Sequence, residues 1–252
     1  MTFDLGRFGD DDARRCGARL REVASAAADM DAAAGAVCRT LHAELQGQDG
    51  GPACVMVRCY VTRQFGTLPE ELKRFARRAL GAVAITPPEP TMRCLVLLGT
   101  AGDEPAWNDP RQSQGHQAIP LPSPHIVERA PMIAQLIREM GFDIASVIRP
   151  RSSGSNRFDA SADGVFHVEN AAGSPFIPAQ QDFVERHGVR SVVGFGGLLP
   201  TGELFAVIVF ARVPIPVATA DRCRDLAADV RSALLGAGGD GFGAGGGAGA
   251  SA

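Results

Sequence analysis

Between residues 10 and 46, apolar and small side chains recur at Cys16, Leu20, Val23, Ala27, Met30, Ala34, Val37, Leu41 and Leu45. Steps of three and four predict one long helix whose stripe is close to a heptad. Asp10, Asp11 and Asp12 supply negative charge at its positive dipole end, and the Gly-rich run 47–52 ends it. Such a stripe has two readings, a parallel dimer seam or a face laid on the chain's own sheet. Residues 53–62 (ACVMVRCYVT) and 92–100 (MRCLVLLGT) instead carry strand-like apolar runs, with a short helix over 69–80 between them. Residues 101–121 are polar and read as a loop. A helix is expected over 124–140, with Ile126, Ile133, Leu136, Ile137 and Met140 on its apolar face. After a polar Gly/Ser-rich loop at 149–163, a short strand follows at 165–168 and a short helix at 179–187. Two further strands, 191–199 and 203–211, flank Pro200-Thr201-Gly202, a hairpin signal. A closing helix spans 218–235.

This order of elements fits one domain over residues 10–235, with residues 1–9 as an N-terminal tail and the Gly/Ala-rich residues 236–252 as a disordered tail. A net charge of −3 with 21% charged residues lacks the basic stripe of a general nucleic-acid binder. No run approaches the roughly 18 apolar residues that span a bilayer, and residues 1–12 carry no apolar segment of a signal peptide. The six cysteines are scattered through apolar contexts, as reduced core residues are. Together these point to a cytoplasmic protein with neither nucleic-acid nor membrane partners. One lysine, Lys73, stands against 24 arginines in an Ala- and Gly-rich chain. That is a compositional bias, so arginine abundance alone carries no argument.

Local motifs give no catalytic constellation. Gly241-Phe242-Gly243-Ala244-Gly245-Gly246 matches GxGxxG in form, yet it follows no strand and opens no helix. His167-Val168-Glu169 has no P-C-x-x-C to complete a zinc site. Cys54 and Cys59 are an odd step apart on a strand, which sends them to opposite faces unless a bulge intervenes. No metal site is expected. Ser113 and His116 share a polar loop, where both residue types usually satisfy backbone rather than act as nucleophile and base.

The segment Gly173-Ser174-Pro175-Phe176-Ile177-Pro178-Ala179-Gln180, with the strands 191–197 and 203–210, resembles a GAF domain. Cys94 to Leu98, Trp107 and residues 113–121 (SQGHQAIPL) belong to the same pattern, which is similar to GAF-type segments preceding PAS, histidine kinase or cyclase modules in bacterial signalling proteins. The resemblance implies an α+β fold. Its central antiparallel sheet would be flanked by N- and C-terminal helices, with a long loop and helix insertion. It also implies a small-ligand pocket under residues 101–121 and 164–180. The candidate ligand-binding residues are then Trp107, Arg111, Ser113, His116 and His167, with Arg190 at the pocket mouth. Arg111 suits a carboxylate or phosphate, and His116 titrates near neutrality. The chain lacks the Asn-Lys-Phe-Asp-Glu-type signature of cyclic-nucleotide GAF domains, and no residue identifies a cofactor. The expected function is a non-enzymatic sensory or regulatory module. It would bind a small ligand, form a homodimer through residues 10–46, and signal through its terminal helices to a protein partner. The alternatives are an assembly or adaptor protein with a vestigial pocket, and a haem binder or small hydrolase using His116.

Overall fold

The structure is a computed structural model and describes residues 1–81, 87–149 and 163–237. Its centre is β3 (Cys54–Gln64), the apolar run read as a strand. It pairs on one side with β4 (Arg93–Gly102) and on the other with β8 (Leu204–Ala211). β5 (Ala118–Leu121) borders β4, while β7 (Ser191–Leu198) and β6 (Gly164–Val168) extend the sheet beyond β8. All neighbours run antiparallel in the order β5-β4-β3-β8-β7-β6. With helices on either side this is the expected α+β, GAF-like architecture. The β7–β8 connection is the predicted hairpin: Gly202 takes φ +80, a conformation that favours glycine, and its N–H bonds Leu199 O at 2.8 Å.

Residues 10–46 form two helices rather than one. α1 (Asp10–Ala24) ends at Ser25, and α2 (Met30–Glu44) restarts where the Asp29 carboxylate accepts from Ala32 N at 2.8 Å. An Asp N-cap satisfies an orphan amide of a new helix and so favours the break. The three-four spacing runs on across the turn, which is why periodicity alone missed it. Cys16, Leu20, Ala34, Val37 and Leu41 are all essentially solvent-free. α1 lies on the closing helix α7 (Val217–Gly236), and α2 lies on β4 and β3. The heptad stripe expected to form a homodimer is therefore consumed inside the chain. The adaptor alternative loses the surface on which it rested.

The other corrections are local. Residues 1–9 are not a tail: Phe3, Leu5 and Phe8 are buried, and β1 (Phe3–Asp4) pairs in parallel with β2 (Leu45–Gln46). The expected 124–140 helix divides into α4 (Pro124–Glu128) and α5 (Pro131–Glu139), because Pro131 cannot continue a helix but suits its first turn. α3 (Glu70–Gly81) and α6 (Ile144–Ile148) complete the set. The supposed loop 101–121 ends in β5, an edge strand, where Pro120 costs no ladder bond on its open side. The expectations for the 149–163 loop and the Gly/Ala tail fall almost wholly outside the described residues. Among those residues no helix is long and apolar enough to cross a membrane.

The sheet has two unlike faces. One is covered by α1, α2 and α7 and is apolar, with Gly99 admitting α2 so closely that a Cβ there would sit 2.4 Å from the Ala34 carbonyl. The other is covered by α4 to α6, residues 103–117 and a π-helical turn, Gln180–Glu185.

Candidate functional site

On that second face β3 presents Met56, Arg58 and Tyr60. Arg58 is directly opposite Thr100 on β4 and Ile208 on β8, so it sits mid-sheet. A bulge sets this register: Cys59 pairs with Gly99 and Tyr60 with Leu97, leaving Leu98 as the extra residue. Arg58 is half-buried. One terminal nitrogen is 3.3 Å from the Tyr60 hydroxyl, and the other is a long 3.5 Å from Ser113 Oγ. Its Nε is buried with no partner, and among the described residues no carboxylate lies within ion-pair distance. The Thr100 hydroxyl beside it, on a residue 4% exposed, is also unpartnered. A guanidinium and a hydroxyl left this way in a protein interior are costly unless something binds them.

Residues 109–117 form the rim. The Asp109 carboxylate accepts from Arg111 N and Nε, which holds its own pKa below the usual carboxylate range. Gln117 bonds the carbonyls of Arg111 and Ser113 and accepts the Leu97 amide, pinning the loop to β4. Ser113 is thereby turned inward, with 8% exposure. His116 Nδ1 is 2.9 Å from the Gln114 carbonyl. A carbonyl only accepts, so Nδ1 carries the proton and the neutral ring offers Nε2 as an acceptor. Desolvation, and then the Arg58 charge, hold the imidazole below its ordinary pKa, which favours that neutral form. Burial pushes the Tyr60 phenol up, so it stays a donor.

Of the six residues named from sequence, Ser113 and His116 converge on Arg58. They are not hydrogen-bonded to one another: the serine meets Arg58 and the imidazole meets Gln114, so no nucleophile–base pair is assembled. Trp107 stands one row along, over Gly102, where a Cβ would approach its ring to 2.7 Å. It packs edge-on against His187 (4.6 Å) and Phe183 (5.7 Å) and walls the site with aromatic surface. Arg111 points away, 79% exposed and paired with Asp109, at the mouth of a separate cleft. His167 lies on β6, four strands from β4, roughly 19 Å across the sheet. Its Nε2 is 2.9 Å from the Ile215 carbonyl, a structural tie. Arg190 is exposed just before β7, its N–H donating to the Ala211 carbonyl of β8 at 2.7 Å. Arg111 and His167 therefore do not join Ser113 and His116 beside Arg58. Arg111 opens onto another cleft, and the strand order keeps His167 on β6 away from the loop 109–117.

Sequence reading missed Arg58, Tyr60 and Thr100. The signal was present in the run ACVMVRCYVT, where one arginine interrupts nine uncharged residues of a buried strand. Cysteine chemistry is not available to the site as it stands. All six thiols are buried, and burial pushes Cys59, Cys94 and Cys223 up to about 12. A register shift between Cys54 and Met56 brings Cys54 and Cys59 to the same helix-covered face. Even so, the described residues contain no cluster of three metal ligands.

Neither a protein-family model nor a curated protein sequence matches this chain. Among solved structures it is similar to free methionine-R-sulfoxide reductase from Neisseria meningitidis in complex with its substrate. The TM-score is 0.49 at 11% identity, over 94% of this chain and 96% of that one. That neighbour is an enzyme, and the expectation of a non-enzymatic module is withdrawn against it.

Proposed function

We propose that this chain is a ligand-binding regulatory domain whose ligand is a small molecule bearing an anionic group. Arg58 is the anion anchor. Tyr60, Thr100 and Ser113 supply hydroxyls around it, His116 Nε2 accepts a hydrogen bond at the rim, and Trp107 gives an apolar wall. The observation that carries the reading is the Arg58 guanidinium, held mid-sheet with its Nε buried and unpartnered and no carboxylate paired to it. Arginine in such a setting is matched to carboxylate or phosphate. A route to the terminal helices follows from the strand itself, because the residues flanking Arg58 on β3, Val57 and Cys59, lie in the core shared with α2 and α7. Ligand binding then favours one seating of those helices, by no more than its differential affinity for the two states.

The test pairs native mass spectrometry with thermal shift on the full chain and on Arg58→Met. Inorganic phosphate, acetate and pyruvate serve as probes. A reproducible bound mass, or a probe-dependent rise in melting temperature that Arg58→Met abolishes, is the expected result. Identical probe responses in the two proteins, with no bound mass in either, would sink the proposal.

A further inference from the structure

A second cavity, of about 410 Å³, lies at the edge of β4 on the other side of residues 108–111, between α2 and the start of α3. β5 pairs with β4 only from Arg93 to Val96, so the strand edge is bare from Leu98 until Asn108 takes over by bonding both backbone groups of Gly102. One wall is the face of α2 that carries Asp31, Gly35 and Arg39 at successive turns. Asp31 Oδ1 is buried with no partner among the described residues. Arg63, whose charge reaches it, is already committed to Glu203 at 2.8 Å. Arg39 folds back over Gly35, where a Cβ would meet its Nη1 at 3.0 Å, and makes no ion pair among the described residues. Thr100, 4% exposed and with its hydroxyl unpartnered, lines the floor. Pro69 and Leu72 supply an apolar side.

We infer that this cleft binds a small zwitterion of the free α-amino acid type, its ammonium on Asp31 and its carboxylate on Arg39. Asp31 and Arg39 stand two turns apart on α2, but the folded-back guanidinium lies over Gly35, four residues or ~6 Å along the axis from Asp31. An ammonium and a carboxylate on one carbon bridge that span. An unpartnered carboxylate oxygen beside an unpaired guanidinium, too far apart to satisfy each other, is the arrangement that such a head group completes. The cavity is of small-molecule size. Its apolar side at Pro69 and Leu72 suits a small or aliphatic side chain. The site is separate from the Arg58 cluster, and Thr100 is the residue the two share.

The test screens the 20 common L-amino acids singly against the full chain by thermal shift, with calorimetry on any hit. For that hit, the N-acetylated amino acid and the corresponding amine without its carboxylate are the controls. Asp31→Asn, Arg39→Gln and Arg58→Met are measured in parallel. Asp29, not Asp31, caps α2, so Asp31→Asn leaves the helix start intact. The expected result is a hit whose two controls are silent. Affinity should fall about tenfold or more in both Asp31→Asn and Arg39→Gln and stay within error in Arg58→Met. No hit, or a hit that both cleft variants bind as well as the parent, would overturn the inference. A hit abolished by Arg58→Met alone would overturn it too, and would assign the ligand to the Arg58 cluster instead.

Discussion

On the face covered by α1, α2 and α7, β3 presents Val57, Cys59 and Val61, none with any exposed surface; on the opposite face the same strand presents Met56, Arg58 and Tyr60. The first set needs no partner but close packing, and it has it, down to Gly99 against the Ala34 backbone. The opposite face carries Arg58 Nε and the Thr100 hydroxyl, buried with no hydrogen-bond partner among the described residues. One strand thus serves a core on one side and a receptor surface on the other. The contrast teaches where to look for function in a sheet: at the positions where burial is not matched by satisfaction.

The largest effect should come from the helix face. Gly99→Val puts side-chain atoms into the α2 backbone and is expected to destabilise by about 3 kcal/mol, seen as a lower urea midpoint. A midpoint within error of the parent would mean that α2 does not sit as close as described. On the other face the sign should reverse. Arg58→Met removes a charge with weak partners, and the ligand-free protein should gain about 1 kcal/mol while losing its response to anions. A loss of stability would instead make Arg58 a structural residue. Thr100→Val, which deletes the orphaned hydroxyl, should stabilise by up to about 1 kcal/mol, measured in the same unfolding series.

The smallest effect is electrostatic. The His116 pKa, read by NMR titration, should lie below the ordinary value near 6.5 and rise in Arg58→Met, because the second cause of its depression has gone. Desolvation, the first cause, remains, so the variant should still fall short of 6.5. The sign for stability follows from the folded pKa being the lower one. The contribution of His116 is present above about pH 6.5 and is lost as pH falls through the folded value. His116→Gln should therefore flatten the acid limb of the stability curve in that window.

The strands and their hairpin were legible because their signals are local. Apolar runs at 53–62, 92–100, 191–199 and 203–211 became β3, β4, β7 and β8 with ends moved by no more than two residues. The closing helix shifted by one residue at each end. The break after α1 was less legible, since its cue was a single capping carboxylate inside an unbroken stripe. Phe3, Leu5 and Phe8 went unread because three apolar residues among aspartates and glycines signal nothing until a core receives them. At the site, Ser113 and His116 were found as polar residues in a loop. Arg58 was passed over because a charged residue inside a strand gives no hint, by itself, of which neighbours will face it.

By itself the sequence determined the four long strands, their hairpin and the closing helix, since backbone preference and side-chain periodicity act within a few residues. It also determined the dry stripe on α1 and α2, although not what would cover it. The tertiary structure alone decided that the stripe meets α7 and the sheet instead of a second chain. It also decided that Arg58, Thr100 and Ser113, up to 55 positions apart in sequence, would stand together. Pairing register and the β4 bulge set those distances, and both depend on contacts between strands that no local pattern encodes.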